Sequence, residues 1–106
     1  MNILDVIHAA ILSRFYRVSG HAANEMLADE VSELDAIEGT LSGEIVESYP
    51  QAFPFPACLV SGKTVIQTPI HTVWAFDSAK CYAILVTVYR PDPERWTTNF
   101  KVRVKS

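Results

Sequence analysis

The side chains with chemistry to offer in this 106-residue chain are few. His21 stands in "GHAANEMLADEVS", His71 in "TPIHTVWAF" and Tyr89 at the end of "CYAILVTVY", while Lys101, Arg103 and Lys105 alternate in "NFKVRVK". Histidine gains and loses a proton near neutral pH, which suits it to general acid–base work. A lone strand histidine is nonetheless more often a hydrogen-bonded structural residue. Three like charges on one strand face repel unless that face meets water or an anion. Lysines on an edge strand also keep sheets from aggregating, whereas arginine's planar fork fits phosphate oxygens in pairs. The stripe carries both readings, and Arg90, in "YRPDPERW", is a further cation beside it. No glycine-rich phosphate loop, metal-ligand spacing or nucleophile elbow accompanies these residues, and no metal or cofactor is expected.

The elements that must position them divide the chain in two. Leu4, Ile7, Ile11 and Phe15 recur at three- and four-residue spacing and predict a first helix. A second run follows Gly20, with Ala22, Met26 and Leu27 on its inner side. Ser32, with Asp35 three positions on, opens a third, whose inner face is read as Leu34, Ile37 and Leu41 and whose stop is Gly43. The second half reads as strands. "EIVESY" (44–49) puts Ile45, Glu47 and Tyr49 on one face, and the proline-rich "PQAFPFPAC" must be a loop. "CLVSGKTVIQ" reads as a strand, a Ser-Gly-Lys turn and a second extended piece. "IHTVWAF" and "CYAILVTVY" form a hairpin across "DSAK", and "NFKVRVK" alternates as a last strand. If "DSAK" closes as a two- or four-residue loop, His71 lies opposite Val86 and Tyr89 faces away; an odd loop or one β-bulge brings His71 and Tyr89 to one face. The expected architecture is α+β: one domain, residues 1–106, with helices over 1–42 packed on one face of an antiparallel sheet over 43–106.

Composition is that of an ordinary globular domain, with 49% hydrophobic residues and a net charge of −3. Its distribution is lopsided: residues 1–50 hold nine acids against Arg14 and Arg17, while residues 90–106 hold five bases against Asp92 and Glu94. An acidic front and a basic tail fit a polyanion-binding face or simply two solvated faces of opposite sign. The apolar start lacks a basic leader and carries Asp5 and His8, so it reads as a helix rather than a signal or membrane span. Cys58 and Cys81 fit no ligand spacing and are expected as reduced, partly buried thiols of a cytoplasmic protein.

Taken in order, "HAANEMLADEVS", "GEIVESYP", "FPFPACLVSGK", "PIHTVWAFD" and "VTVYRPDPERW" resemble the bacterial family named domain of unknown function 4258, over about Gly20 to Arg103. That family is similar to RelE-like and MqsR-like toxins, small α+β ribonucleases with helices on one side of a curved antiparallel sheet. The resemblance implies metal-independent RNA cleavage, held in check by a zinc-finger partner of antitoxin type. His71 and His21 would then be base and acid, with Tyr89 positioning or donating, and Lys101 and Arg103 stabilising charge. Lys101, Arg103, Lys105 and Arg90 would grip RNA phosphates. Some members carry arginines where this chain has Glu25 and Asp29, which tells against a mechanism built on helix arginines. The alternative is a non-catalytic module of the same fold that only pairs with such a partner.

Overall fold

The computed structural model describes residues 2–97 and 99–104. In chain order the elements are α1 (Ile3–Leu12), β1 (Tyr16–Val18), α2 (Gly20–Asp29), α3 (Glu33–Ser42), β2 (Glu44–Tyr49), β3 (Ala57–Lys63), β4 (Pro69–Asp77) and β5 (Tyr82–Tyr89). The expected α+β arrangement is present, with the helices on one face of a five-stranded sheet ordered β1-β5-β4-β3-β2.

Each helix starts where a side chain satisfies its orphan N–H groups. Asn2 and Asp5 close a reciprocal capping box on α1, Ser19 caps α2, and Ser32 with Asp35 forms the box on α3 that the sequence pattern announces. The boundary between a helical front and a strand-forming rear is less clean. α1 stops at Leu12, Arg14 takes a left-handed turn (φ 62°), and Tyr16–Val18 enter the sheet. β1 runs parallel to β5, so the sheet is mixed, with antiparallel pairing throughout β2–β5. Phe15 is therefore exposed rather than part of the α1 stripe.

α3 also turns differently from its leucine pattern. Leu34 is 63% exposed and Leu41 is open to solvent, while Ala36, Gly39 and Thr40 face the sheet. The cause is close approach. A Cβ on Gly62 would stand 1.8 Å from the Gly39 carbonyl oxygen, so helix and strand backbones meet where neither residue has a side chain. Gly62 therefore belongs to the continuous strand β3, and the reversal expected at Ser-Gly-Lys falls later, where Gln67 N–H donates to the Thr64 carbonyl at 2.8 Å. A buried polar knot fixes the contact: Thr40 Oγ1 donates to the Ala36 carbonyl (2.7 Å) and accepts from Trp74 Nε1 (2.8 Å) and the Thr72 hydroxyl (3.0 Å).

The helix-side core gathers Ile7, Ile11, Cys58, Val60, Ile70, Trp74, Leu85 and Val88. Cys58 is buried there, its thiol pushed up to about 11 by desolvation, whereas Cys81 sits exposed in the hairpin turn with φ 52° instead of being partly covered. The far face carries a smaller apolar cluster of Ala57, Ala75 and Ile84, flanked by Tyr49, Val73 and Val86. No helix among the described residues is long and apolar enough to cross a membrane.

Candidate active site

A β-bulge decides which side chains share the far face. The loop between β4 and β5 is four residues, Ser78 to Cys81, and pairs Asp77 with Tyr82. Even spacing would then turn Tyr89 away from His71. The register instead shifts at Val86, which leaves His71 directly opposite Tyr89 rather than Val88. Val86 packs into the far-face cluster, and its carbonyl accepts from Ser19 Oγ at 3.1 Å. Ser19 also caps α2, so one hydroxyl ties the bulge to the helix start. Farther along, the Val88 N–H that β1 is too short to reach donates to Glu25 Oε1 at 3.1 Å. A second bulge, between Ile45 and Glu47, sends Ile45 to the helix-side core and leaves Glu47 and Tyr49 on the far face, against the simple alternation of the sequence.

His71 is fully buried. Its Nε2 lies 2.8 Å from the Phe100 carbonyl and its Nδ1 lies 3.1 Å from Tyr89 Oη. A carbonyl only accepts, so Nε2 carries the proton and Nδ1 accepts from the tyrosine hydroxyl. The ring is also held by aromatic edges, with Tyr89 at 5.2 Å and Trp96 at 4.5 Å between centroids. Burial lowers the His71 pKa below its usual range, and burial raises that of Tyr89.

Beside this pair lies a charged group. Arg103 donates two hydrogen bonds to Glu47, from Nε at 2.6 Å and Nη2 at 3.0 Å, and its guanidinium stands 4.7 Å from the centre of the Trp96 ring. Tyr49 Oη donates to the same carboxylate at 2.5 Å. The Arg103 hydrogen bond holds the Glu47 carboxyl below its usual range, and burial together with Glu47 pushes Tyr49 up to about 12. Lys101 pairs with Glu44 at 2.7 Å.

The segment from Pro91 to Val104 is the cover over these groups, not a strand of the sheet. After Tyr89 it crosses the far face, seats Trp96 at 3% exposure, and folds back on itself. Thr97 N–H donates to the Val102 carbonyl and Val104 N–H to the Arg95 carbonyl, both at 2.8 Å, with Phe100 left-handed (φ 59°) at the reversal. The alternating tail thus spends its backbone pairing on itself, and Val102 and Val104 stay exposed.

Of the expected site residues, His71, Tyr89 and Arg103 come together, with Lys101 at the margin. His21 does not join them: its side chain is 68% exposed and its partner is Glu25, at 3.3 Å. Arg90 points back to α2, where it donates to the Asp29 and Glu30 carbonyls at 3.4 Å and caps that helix end. Lys105 lies outside the described residues. Glu47, Tyr49, Trp96 and the Phe100 carbonyl belong to the site but were not among the expected groups. Glu47, an acid on an otherwise half-buried strand, gave a signal, and so did Trp96, an aromatic placed to fold back as an apolar anchor after Pro91 and Pro93. Among the described residues no group of three or more His, Cys, Asp or Glu side chains is placed to hold a metal ion.

The family model "Domain of unknown function (DUF4258)" matches residues 18–90. The chain belongs to this family. The matched region contains His21, Glu47, His71 and Tyr89 and ends where the covering segment begins, short of the Arg103 to which the sequence blocks extended. Neither the curated proteins nor the solved structures contain a match.

Proposed function

We propose that the protein is a metal-independent endoribonuclease of toxin–antitoxin type in which His71 is the catalytic base and Tyr89 its positioning residue. The observation that carries this reading is the His71–Tyr89 hydrogen bond beside the Arg103 guanidinium. A tyrosine hydroxyl both donates and accepts, so it supports His71 with the proton on either ring nitrogen. With Nε2 deprotonated and facing substrate, it takes the proton of the ribose 2′-OH. The 2′-oxygen attacks phosphorus and the bond from phosphorus to the 5′-oxygen breaks. The proton held on Nε2 then passes to that oxygen, leaving a 2′,3′-cyclic phosphate and a 5′-hydroxyl. Arg103 faces the charge that builds on the phosphate oxygens. His21 has no step here, because its hydrogen-bonding reach ends at Glu25.

The test is end-labelled single-stranded RNA in excess over purified protein. Wild type is expected to cleave it, His71→Ala to lose about a hundredfold or more in rate, and Tyr89→Phe to lose about tenfold with a displaced acidic limb of the pH profile. RNA equally intact with all three proteins would end the nuclease reading. A second reading, a non-catalytic module for a zinc-finger partner of antitoxin type, draws on one observation: Phe100 seals His71, and Lys101 and Arg103 already pair with Glu44 and Glu47. It predicts a partner that binds wild type and His71→Ala equally while RNA stays intact.

A further inference from the structure

The tip of the covering segment sits on the one nitrogen that the proposed chemistry needs. Phe100 offers its backbone carbonyl to His71 Nε2 at 2.8 Å, as a hydroxyl or phosphate oxygen of a ligand would be offered. Two interactions hold that tip to the sheet: this hydrogen bond and the ion pair of Lys101 with Glu44 on the edge strand β2. The pair is open to solvent, with side chains 46% and 58% exposed, so it contributes little and is screened by salt. The base of the segment is anchored separately, by the buried Trp96 and the two-bonded Arg103–Glu47 pair.

A groove of about 860 Å³ lies at the end of the sheet, and Asn99, Phe100 and Lys101 of this tip form part of its wall. The other walls include Gly43, Glu44, Gly62, Lys63 and Ser61. Ser61 is the cross-strand partner of His71, so the groove adjoins the imidazole whose Nε2 the Phe100 carbonyl covers. Lys63, on the groove wall, forms no ion pair among the described residues. Lys63 and Lys101 offer two cations to a chain of phosphates laid in the groove, against the carboxylates of Glu38 and Glu44 on the same walls, provided Lys101 exchanges its carboxylate partner for a phosphate.

We infer that the Asn99–Lys101 tip is an internal plug on His71, held down by Lys101 on Glu44, and that a single-stranded nucleic acid in the groove lifts it by competing for Lys101. The inference rests on the reading of His71 as the reacting group. It adds that the described conformation is the resting one and that ligand itself opens the site, with Trp96 and Arg103 staying in place. Lys101 in this view is the latch, and it becomes a phosphate contact only when the latch opens.

The experiment uses the full chain and Glu44→Gln, an exposed substitution that removes the latch partner and lies outside the proposed chemistry. Binding is read with a deoxythymidylate oligomer of about twelve residues, which lacks the 2′-OH and is not cleaved. Accessibility of His71 is read by carbethoxylation and peptide mass mapping, with the exposed His21 as internal control. Glu44→Gln is expected to bind the oligomer about threefold tighter than wild type, a difference lost at about 0.5 M NaCl. His71 modification should rise about threefold while His21 is unchanged. Unchanged affinity, or His71 reactivity equal in the two proteins, would overturn the plug. A matching RNA oligomer separates the two ideas. Cleavage at equal rates with equal His71 reactivity removes the plug and leaves the nuclease, whereas tighter binding and greater reactivity without cleavage leave the plug and remove the nuclease.

Discussion

Replacing Trp96 with alanine distinguishes a covering segment that is part of the cooperative core from one that is a flap. In a fixed core, truncating a buried tryptophan costs about 3–5 kcal/mol, and Trp96 is buried to 3%. Its edge contact with His71 adds about 0.5–1.5 kcal/mol and the Arg103 guanidinium about 0.5–1 kcal/mol. A flap loses less, because once it detaches no further destabilisation reaches the body. The described segment makes no ladder bonds with the sheet; its backbone–backbone bonds close within residues 92–104, and among the described residues its one backbone bond to the sheet is the one the Phe100 carbonyl accepts from His71. Ordering such a segment costs backbone entropy, which opposes what Trp96 and the ion pairs contribute. The net hold is therefore small, and Trp96→Ala should lower global stability by only about 1–2 kcal/mol. Urea unfolding should show a reduced m-value, since less surface remains to be exposed. In the same variant His71 loses its cover, so an NMR titration of its ring protons should find its pKa moving up towards the unperturbed value near 6.5. A loss of about 3–5 kcal/mol with an unchanged m-value and a still-depressed His71 pKa would refute the reasoning and make the segment integral to the core.

Two other outcomes follow from the same geometry. Because burial lowers the folded-state His71 pKa below 6.5, the unfolded chain binds more protons in the window below 6.5, so stability is complete above that pH and declines as pH falls through it; urea midpoints measured between about pH 7.5 and about pH 5.5 should fall, and a Tyr16→Phe control, remote from the site, should keep the slope. The Glu47 contribution lies in a lower window, present above its usual 4.5 and lost as pH falls beneath it, so the two do not overlap over that range. Gly62→Ala should destabilise by about 3 kcal/mol, the upper end for overpacking, because the added methyl meets the Gly39 carbonyl and its backbone rather than a side chain that can move; a thermal midpoint lowered by less than about 4 °C would show that α3 slides freely on β3.

What could be read from the sequence depended on whether local chemistry or long-range contact decided the outcome. Ser32 and Asp35 announce a helix start because both groups of the capping box lie within one turn. The β4–β5 hairpin is equally local. β1 was hidden because "YRV" is too short to show alternation, and what makes it a strand is β5, more than sixty residues away. The inner face of α3 was misread for a related reason. Leucines at helical spacing look like core, yet the approach of Gly39 to Gly62 puts Ala36 and Thr40 against the sheet, with Ile37 packed at the edge of the core and Leu34 and Leu41 outside it. The pairing of His71 with Tyr89 turned on a single extra residue in β5, and no composition rule says that Val86 is bulged rather than paired.

The charge pattern shows the same division between what a sequence contains and what a fold does with it. An acidic front and a basic tail suggest two surfaces, one of them waiting for an anion. In the folded chain part of each meets the other: Lys101 lies on Glu44 and Arg103 on Glu47, both carried by the edge strand β2. The described cations of the stripe, Lys101 and Arg103, are thus already paired with the protein's own carboxylates. An outside polyanion must displace them one at a time, beginning with the exposed Lys101 pair and not with the two-bonded Arg103 pair stacked on Trp96. The order in which those two pairs give way determines whether His71 is uncovered with its guanidinium still beside it or is stripped of both together.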